Sequence, residues 1–302
     1  MYEPIVSTLL NGVPSLAPGW QVSFLQVPFS FGNTSREFIE AVHNLTENDL
    51  FIWVAKLGHE HIPWTWLSEH QVHTVYFSVD PRDSESPCEV VGNNNIKEVW
   101  DYSLYNIKTC RDHRLKYNRN NLPVFRYLPP GAIESSAVAD HQQPAHLAFM
   151  GHVKFGSRLK CWGFLKSRLG PHLVNLNGVW TPSAFEALVK GNGIHLNLHK
   201  RCDPIEPRPL ETFRLSTLLS AQALIISERA DVADEEPYAG LVTFATVRGI
   251  QEEFDVLANM SKWARRELSR ARAANFQRRF APGRLLQNAG IGQLLAKLAR
   301  HR

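Results

Sequence analysis

Apolar and polar positions along this chain change period repeatedly, and the changes mark alternating strands and helices. The pattern is sharpest from Leu210 to Phe244. A helix is predicted over about 211–222, because Phe213, Leu215, Leu218, Leu219 and Ala223 recur on one face. Residues 223–228 then form a short apolar run ending in polar groups, the pattern of a buried parallel strand. A loop and a second short strand follow. Ligands of open α/β sheets bind beyond the carboxyl ends of such strands. Ser227, Glu228 and the residues just before the helix therefore stand at the predicted place for chemistry.

The same alternation predicts strands at 21–28, 49–55, 72–79, 96–100 and 123–127, with helices at 36–45, 65–70 and 102–114 between them. Residues 131–144 are small and polar and read as a linker. Beyond them the alternation resumes: strands at 146–150, 172–175 and 193–199, and helices at 157–169 and 182–190. The last part is helical, over 251–279 and again near 291–300. Two series of βαβ units follow one another.

Length and composition agree with two soluble domains. The chain has 302 residues, 44% of them hydrophobic and 21% charged. No apolar run approaches the roughly 20 residues of a membrane-spanning helix. The first residues lack the basic flank and cleavage site of a signal peptide. Cys88, Cys110, Cys161 and Cys202 have no CxxC spacing, so neither a disulfide framework nor a zinc site is expected, and a reducing, cytoplasmic setting is. The net charge of +4 hides an asymmetry: residues 261–302 hold eleven Lys/Arg and one acid, Glu267. Without them the body is acidic, which argues against a nucleic-acid partner.

Asp49-Leu-Phe-Ile-Trp-Val-Ala and Thr74-Val-Tyr-Phe-Ser-Val-Asp-Pro resemble the amino-terminal strands of CgeB-like and group 1 glycosyltransferases. The stretch from Glu98 to Ile107 (EVWDYSLYNI) is similar to one in some of these proteins, and His146-Leu-Ala-Phe-Met-Gly-His to the opening of their donor domain. Phe213 to Glu228 resembles their donor-binding helix and strand, with Thr217 where an acid usually contacts the donor ribose and Gln222 where glycine usually stands. The resemblance implies the α/β fold called GT-B: two Rossmann-like domains facing across a cleft. Residues 1–140 would form the acceptor-side domain, 141–264 the nucleotide-sugar-binding domain, and 265–302 a C-terminal basic helical tail.

It also implies a hexosyltransferase that takes a sugar from a nucleotide-sugar donor to an unknown acceptor, glycan or lipid-linked. No metal and no cofactor are expected, because basic side chains and helix N-termini can stabilise the departing diphosphate. Gly151, Ser157, Arg158 and Lys160 suit that task, as do Lys200, Arg201 and Arg214; Glu211, Ser227 and Glu228 complete the expected donor seat. A cation such as Arg214 in the first turn of a helix opposes the macrodipole, so it requires an anionic partner, either Glu211 or a ligand phosphate. His59 and His61, in a loop after a strand, can serve as general base, with Asp80 a second candidate. Trp64 and Trp66 are candidates for stacking on an acceptor, whereas Trp53 and Trp100 belong to apolar strands. Ile291, Leu294, Leu295 and Leu298 make one apolar face on a basic helix, which suits either peripheral membrane contact or packing back on the body. A catalytically inactive nucleotide-sugar-binding or interaction protein of the same fold remains the alternative reading.

Overall fold

The computed structural model describes residues 3–25, 36–54, 62–79, 96–116, 123–141, 145–154, 156–176, 181–200, 202 and 208–300. The chain divides into two compact units, one of Pro4–Pro129 with Pro282–Arg302 and one of Pro130–Ala281.

The first unit opens with α1 (Glu3–Leu16), on which Ile5, Leu9 and Val13 recur at every fourth position and are buried. This helix was legible in the spacing but is absent from the predicted elements. Then come α2 (Arg36–His43), β1 (Leu50–Val54), α3 (Trp64–Glu69), β2 (His73–Ser78), β3 (Glu98–Asp101), α4 (Leu104–Lys116) and β4 (Val124–Tyr127). The strands pair in the order β1-β2-β3-β4, all parallel. Parallel strands need crossovers that cover the sheet faces. Phe38, Val42, Trp53, Leu67, Val72 and Val99 accordingly share one core. Glu98 is a buried acid on β3, and Arg126 forks onto both of its oxygens at 2.6 and 2.9 Å while Trp100 Nε1 donates at 2.8 Å.

The second unit contains β5 (Leu147–Phe149), α5 (Gly156–Leu169), β6 (Leu173–Asn175), α6 (Pro182–Gly191), β7 (Ile194–Asn197), α7 (Thr212–Ser220), β8 (Leu224–Glu228), α8 (Val232–Glu235), β9 (Thr243–Ala245), α9 (Ile250–Asn259) and α10 (Lys262–Arg279). Its strands, again all parallel, lie in the order β6-β5-β7-β8-β9. The chain runs outward from β5 to β6, then returns to the other side of β5 to lay down β7. The strand order therefore reverses at β5, a topological switch point, and in open α/β sheets ligands bind beyond the carboxyl ends of the strands at such a point.

Two final helices, α11 (Pro282–Asn288) and α12 (Ile291–Ala299), belong to the first unit. A Cβ on Gly12 of α1 would lie 2.5 Å from Leu286 Cδ1 and 3.0 Å from the Pro282 carbonyl carbon, so α1 and α11 touch only because that position is glycine. Ile291, Leu294, Leu295 and Leu298 are buried. Their apolar face is used in packing and is not open to a membrane. Among the described residues, no helix is long and apolar enough to cross one.

Several expectations need correction. Residues 21–25 form no strand and expose Phe24 and Leu25; 26–28 lie outside the described residues. The helical stretch 251–279 is two helices, because the Ser261 hydroxyl accepts the Ala264 N–H at 3.1 Å and caps a new start. The stretch 131–141 is packed rather than free: Ala139 N–H donates to Ala221 O at 2.8 Å, and the Ser216 hydroxyl donates to Gly131 O. Trp64 is a core residue, edge-on to Phe51, and Trp66 stacks on His70 at 3.9 Å. Cys161 and Cys202 form a disulfide, with Cα atoms 6.3 Å apart. Their separation of 41 residues carried no signature; packing of α5 against the chain after β7 brings them together.

Candidate functional site

At the switch point stand Phe149, the last residue of β5, and a knot of charges beside it. Gly151 follows with φ +153°, and a Cβ there would stand 3.0 Å from Phe149 Cζ and 3.7 Å from Arg214 Nη2. The bare backbone lets two guanidiniums stack on one ring: Arg158 Cζ is 5.4 Å and Arg214 Cζ 5.1 Å from the Phe149 centroid.

Arg158, on the first turn of α5, is only 9% exposed. Its Nε donates to His199 O at 2.9 Å, Nη1 to His152 O at 3.2 Å, and Nη2 to both Leu198 O and Glu211 Oε1 at 3.0 Å. Most of its donors are thus committed to holding α5 against the chain that leaves β7. Arg214, on the first turn of α7, donates to Asn197 Oδ1 at 2.6 Å and to Glu211 Oε2 at 3.0 Å. Glu211 occupies the N-cap position of α7 and also accepts the Lys200 N–H at 2.9 Å. Burial alone would raise its pKa, but the Arg214 and Arg158 charges outweigh burial and hold the carboxyl below its ordinary range.

Glu228 ends β8 and accepts the His199 N–H at 3.1 Å. Burial raises its pKa to about 7, although that N–H and the Arg208 charge oppose the shift. His199 itself is buried, with Nε2 donating to Arg229 O at 3.1 Å; burial keeps it neutral. The Ser227 hydroxyl receives Asn197 Nδ2 at 3.1 Å and donates to Glu228 O at 2.9 Å. Two guanidiniums therefore share the Glu211 carboxylate, beside Glu228, whose pKa burial raises. Arg158, Glu211 and Arg214 by themselves carry one net positive charge at the strand ends, which favours an anion.

Gly151, Arg158, Glu211, Arg214, Ser227 and Glu228 converge here. The side chains of Lys160 and Lys200 are exposed, and Lys200 joins the knot through its main chain. Arg201, His59, His61 and Asp80 lie outside the described residues. Phe149, Asn197 and His199 were not singled out from the sequence. Asn197 and His199 carry the mark of polar groups at a strand end, whereas Phe149 reads as ordinary core. Thr217 donates to Phe213 O at 3.0 Å, back along its own helix, and Gln222 adopts φ +59°, the left-handed conformation that suits glycine. Among the described residues, no group of three or more His, Cys, Asp or Glu could hold a metal ion.

No protein-family model matches the chain. No curated protein matches it either. Solved structures do. The pneumococcal O-GlcNAc transferase GtfA, crystallised with UDP and GlcNAc, is similar with a TM-score of 0.55 at 10% identity, over 87% of this chain and 59% of that one. A variant of S. aureus TarM, in complex with fondaparinux, α-GlcNAc-glycerol and UDP, is similar at 0.58 and 7%, over 83% of this chain and 56% of that one. A UDP-forming α,α-trehalose-phosphate synthase from Burkholderia xenovorans is similar at 0.54 and 10%, over 99% and 85%. The chain spans little more than half the length of the first two proteins. At these identities the likeness shows the fold: two parallel α/β sheets, in the architecture of GT-B glycosyltransferases.

Proposed function

We propose that this chain is a glycosyltransferase that moves a sugar, of hexose type, from a nucleotide-sugar donor to a glycan or lipid-linked acceptor without a metal ion. The observation that carries the reading is the excess positive charge of the Arg158–Glu211–Arg214 knot at the strand-order reversal of the second sheet. Three solved structures of the same fold, two of them with UDP bound, support it. In this reading Arg214, with Lys160, Lys200 and Arg201, meets the diphosphate, and the bare backbone at Gly151 lets a phosphate come close. Arg158, Glu211 and Ser227 hold that surface in place, and Glu228 borders it. Charge that develops on the departing diphosphate meets fixed cations, so little reorganisation is needed as the bond breaks. A proton from the acceptor hydroxyl goes to His59, His61 or Asp80. The CgeB-like and group 1 resemblance of the sequence points the same way.

A second reading, a nucleotide-sugar-binding protein without turnover, is favoured by Glu211. Its carboxylate already occupies both arginines, while Thr217 and Gln222 replace an acid and a glycine. A thermal-shift panel of UDP-, GDP-, dTDP- and ADP-sugars tests donor binding, because a ligand that binds only the native state raises the melting temperature. A rise with one nucleotide class supports both readings. No rise with any donor contradicts both.

A further inference from the structure

Cys161 lies one turn beyond Arg158 on α5, and Cys202 lies shortly beyond His199, whose carbonyl accepts from Arg158 Nε. The disulfide therefore fastens α5 to the same stretch of chain that Arg158 holds through the Leu198 and His199 carbonyls. That stretch carries two main-chain donors of the charge knot: His199 N–H to Glu228 at 3.1 Å and Lys200 N–H to Glu211 at 2.9 Å. Cys202 is buried and Cys161 half-buried, so the Cys161 sulfur is the one a small thiol reaches.

We propose that the Cys161–Cys202 disulfide is a redox-controlled fastening, opened by a dithiol reductant, that sets how firmly the chain after β7 is held to Glu211 and Glu228. A reductant thiolate attacks Cys161 Sγ, the S–S bond breaks, and the electron pair leaves on Cys202 Sγ, which takes a proton. The second thiol of the reductant then displaces Cys161 as a thiolate and closes the reductant's own disulfide. The protein gains two electrons and two protons. The bond closes a long stretch of chain, 41 residues from end to end. Its loss returns conformational freedom to the segment, which then opens locally more often. This holds whether or not the chain is a transferase.

Hydrogen exchange read by mass spectrometry on the full chain tests it, before and after treatment with dithiothreitol. A non-reducing digest is expected to give the Cys161 and Cys202 peptides as one linked species. Reduction is expected to quicken exchange at the His199 and Lys200 amides by about tenfold or more, the mark of easier local opening. Cys161→Ser, which alters the less buried partner, is expected to exchange fast with or without reductant. Recovery of the two peptides unlinked from air-oxidised protein overturns the proposal. So does unchanged amide exchange after reduction of the native chain.

Discussion

Arg158 and Glu211 stand 53 positions apart in the chain, yet Nη2 of one lies 3.0 Å from Oε1 of the other. Arg214 reaches the second carboxylate oxygen at the same distance, from one helical turn away. All three side chains are largely buried. Removing the shared carboxylate strands two guanidiniums side by side, and breaking such a buried pair costs about 3 kcal/mol or more. Glu211→Ala is expected to show that loss in thermal unfolding. Arg214→Ala leaves the Arg158 pair intact and is expected to lose less.

Glu228 predicts a pH dependence of stability. Its pKa is raised from 4.5 to about 7 in the folded state, so the fold holds the proton more tightly than the unfolded chain does between those values. Its contribution is fully present below about pH 4.5 and is lost as pH rises to about 7, a change of ~3 kcal/mol. Glu98 has the opposite sign. Burial would raise its pKa, but the His73 ring 3.6 Å away and hydrogen bonds from Arg126 and Trp100 outweigh burial and lower it to about 2, so its contribution is lost as pH falls toward that value. Buried His141, His195 and His199, whose pKa values burial lowers, add stability as pH rises, so the Glu228 contribution is read as a difference: in urea unfolding across pH 5 to 8, the stability of wild type relative to Glu228→Gln is expected to fall as pH rises.

Gln222 carries backbone strain that glycine relieves. A left-handed residue costs roughly 1–2 kcal/mol, and the added freedom of glycine in the unfolded chain returns part of that. Gln222→Gly is expected to raise the stability of the second unit by about 0.5–1 kcal/mol, seen as a higher Tm.

Leu295 tests the role of the C-terminal helix. It is 1% exposed and packs within the first unit, so Leu295→Ala is expected to destabilise by about 2–4 kcal/mol. Binding to anionic vesicles is expected to be the same for variant and wild type, because that leucine face is not open to lipid.

Much of this arrangement was legible in the chain, and the limits have physical causes. The run from Leu224 to Glu228 reads as a buried parallel strand because local apolarity and a polar end suffice to mark one, and β8 lies there with Glu228 at its tip. The helix before it was placed from Phe213, Leu215 and Leu218, and α7 covers them. Arg158 was legible as a cation near a strand end. Its burial against the Leu198 and His199 carbonyls was not, since that depends on how α5 lies beside the chain after β7. The Cys161–Cys202 pairing escaped for the same reason. The helix Glu3–Leu16 was missed despite a clear spacing of Ile5, Leu9 and Val13, because the first residues were read only for a signal peptide and not for periodicity. Glu211 was read as a candidate partner of Arg214, and its hydrogen bonds show that pairing, together with a second one to Arg158 that the sequence did not reveal.

In the proposed function, Arg214 at the strand-order reversal meets the diphosphate of a sugar nucleotide. The most direct test is release of nucleoside diphosphate from whichever nucleotide-sugar stabilises the protein, compared between wild type and Arg214→Ala. The account predicts turnover in the wild type and a loss of at least about a hundredfold in the variant, as expected when a fixed donor to the departing charge is removed. Equal release by the two proteins would contradict it, as would donor binding with no release by the wild type, which would leave only the binding reading.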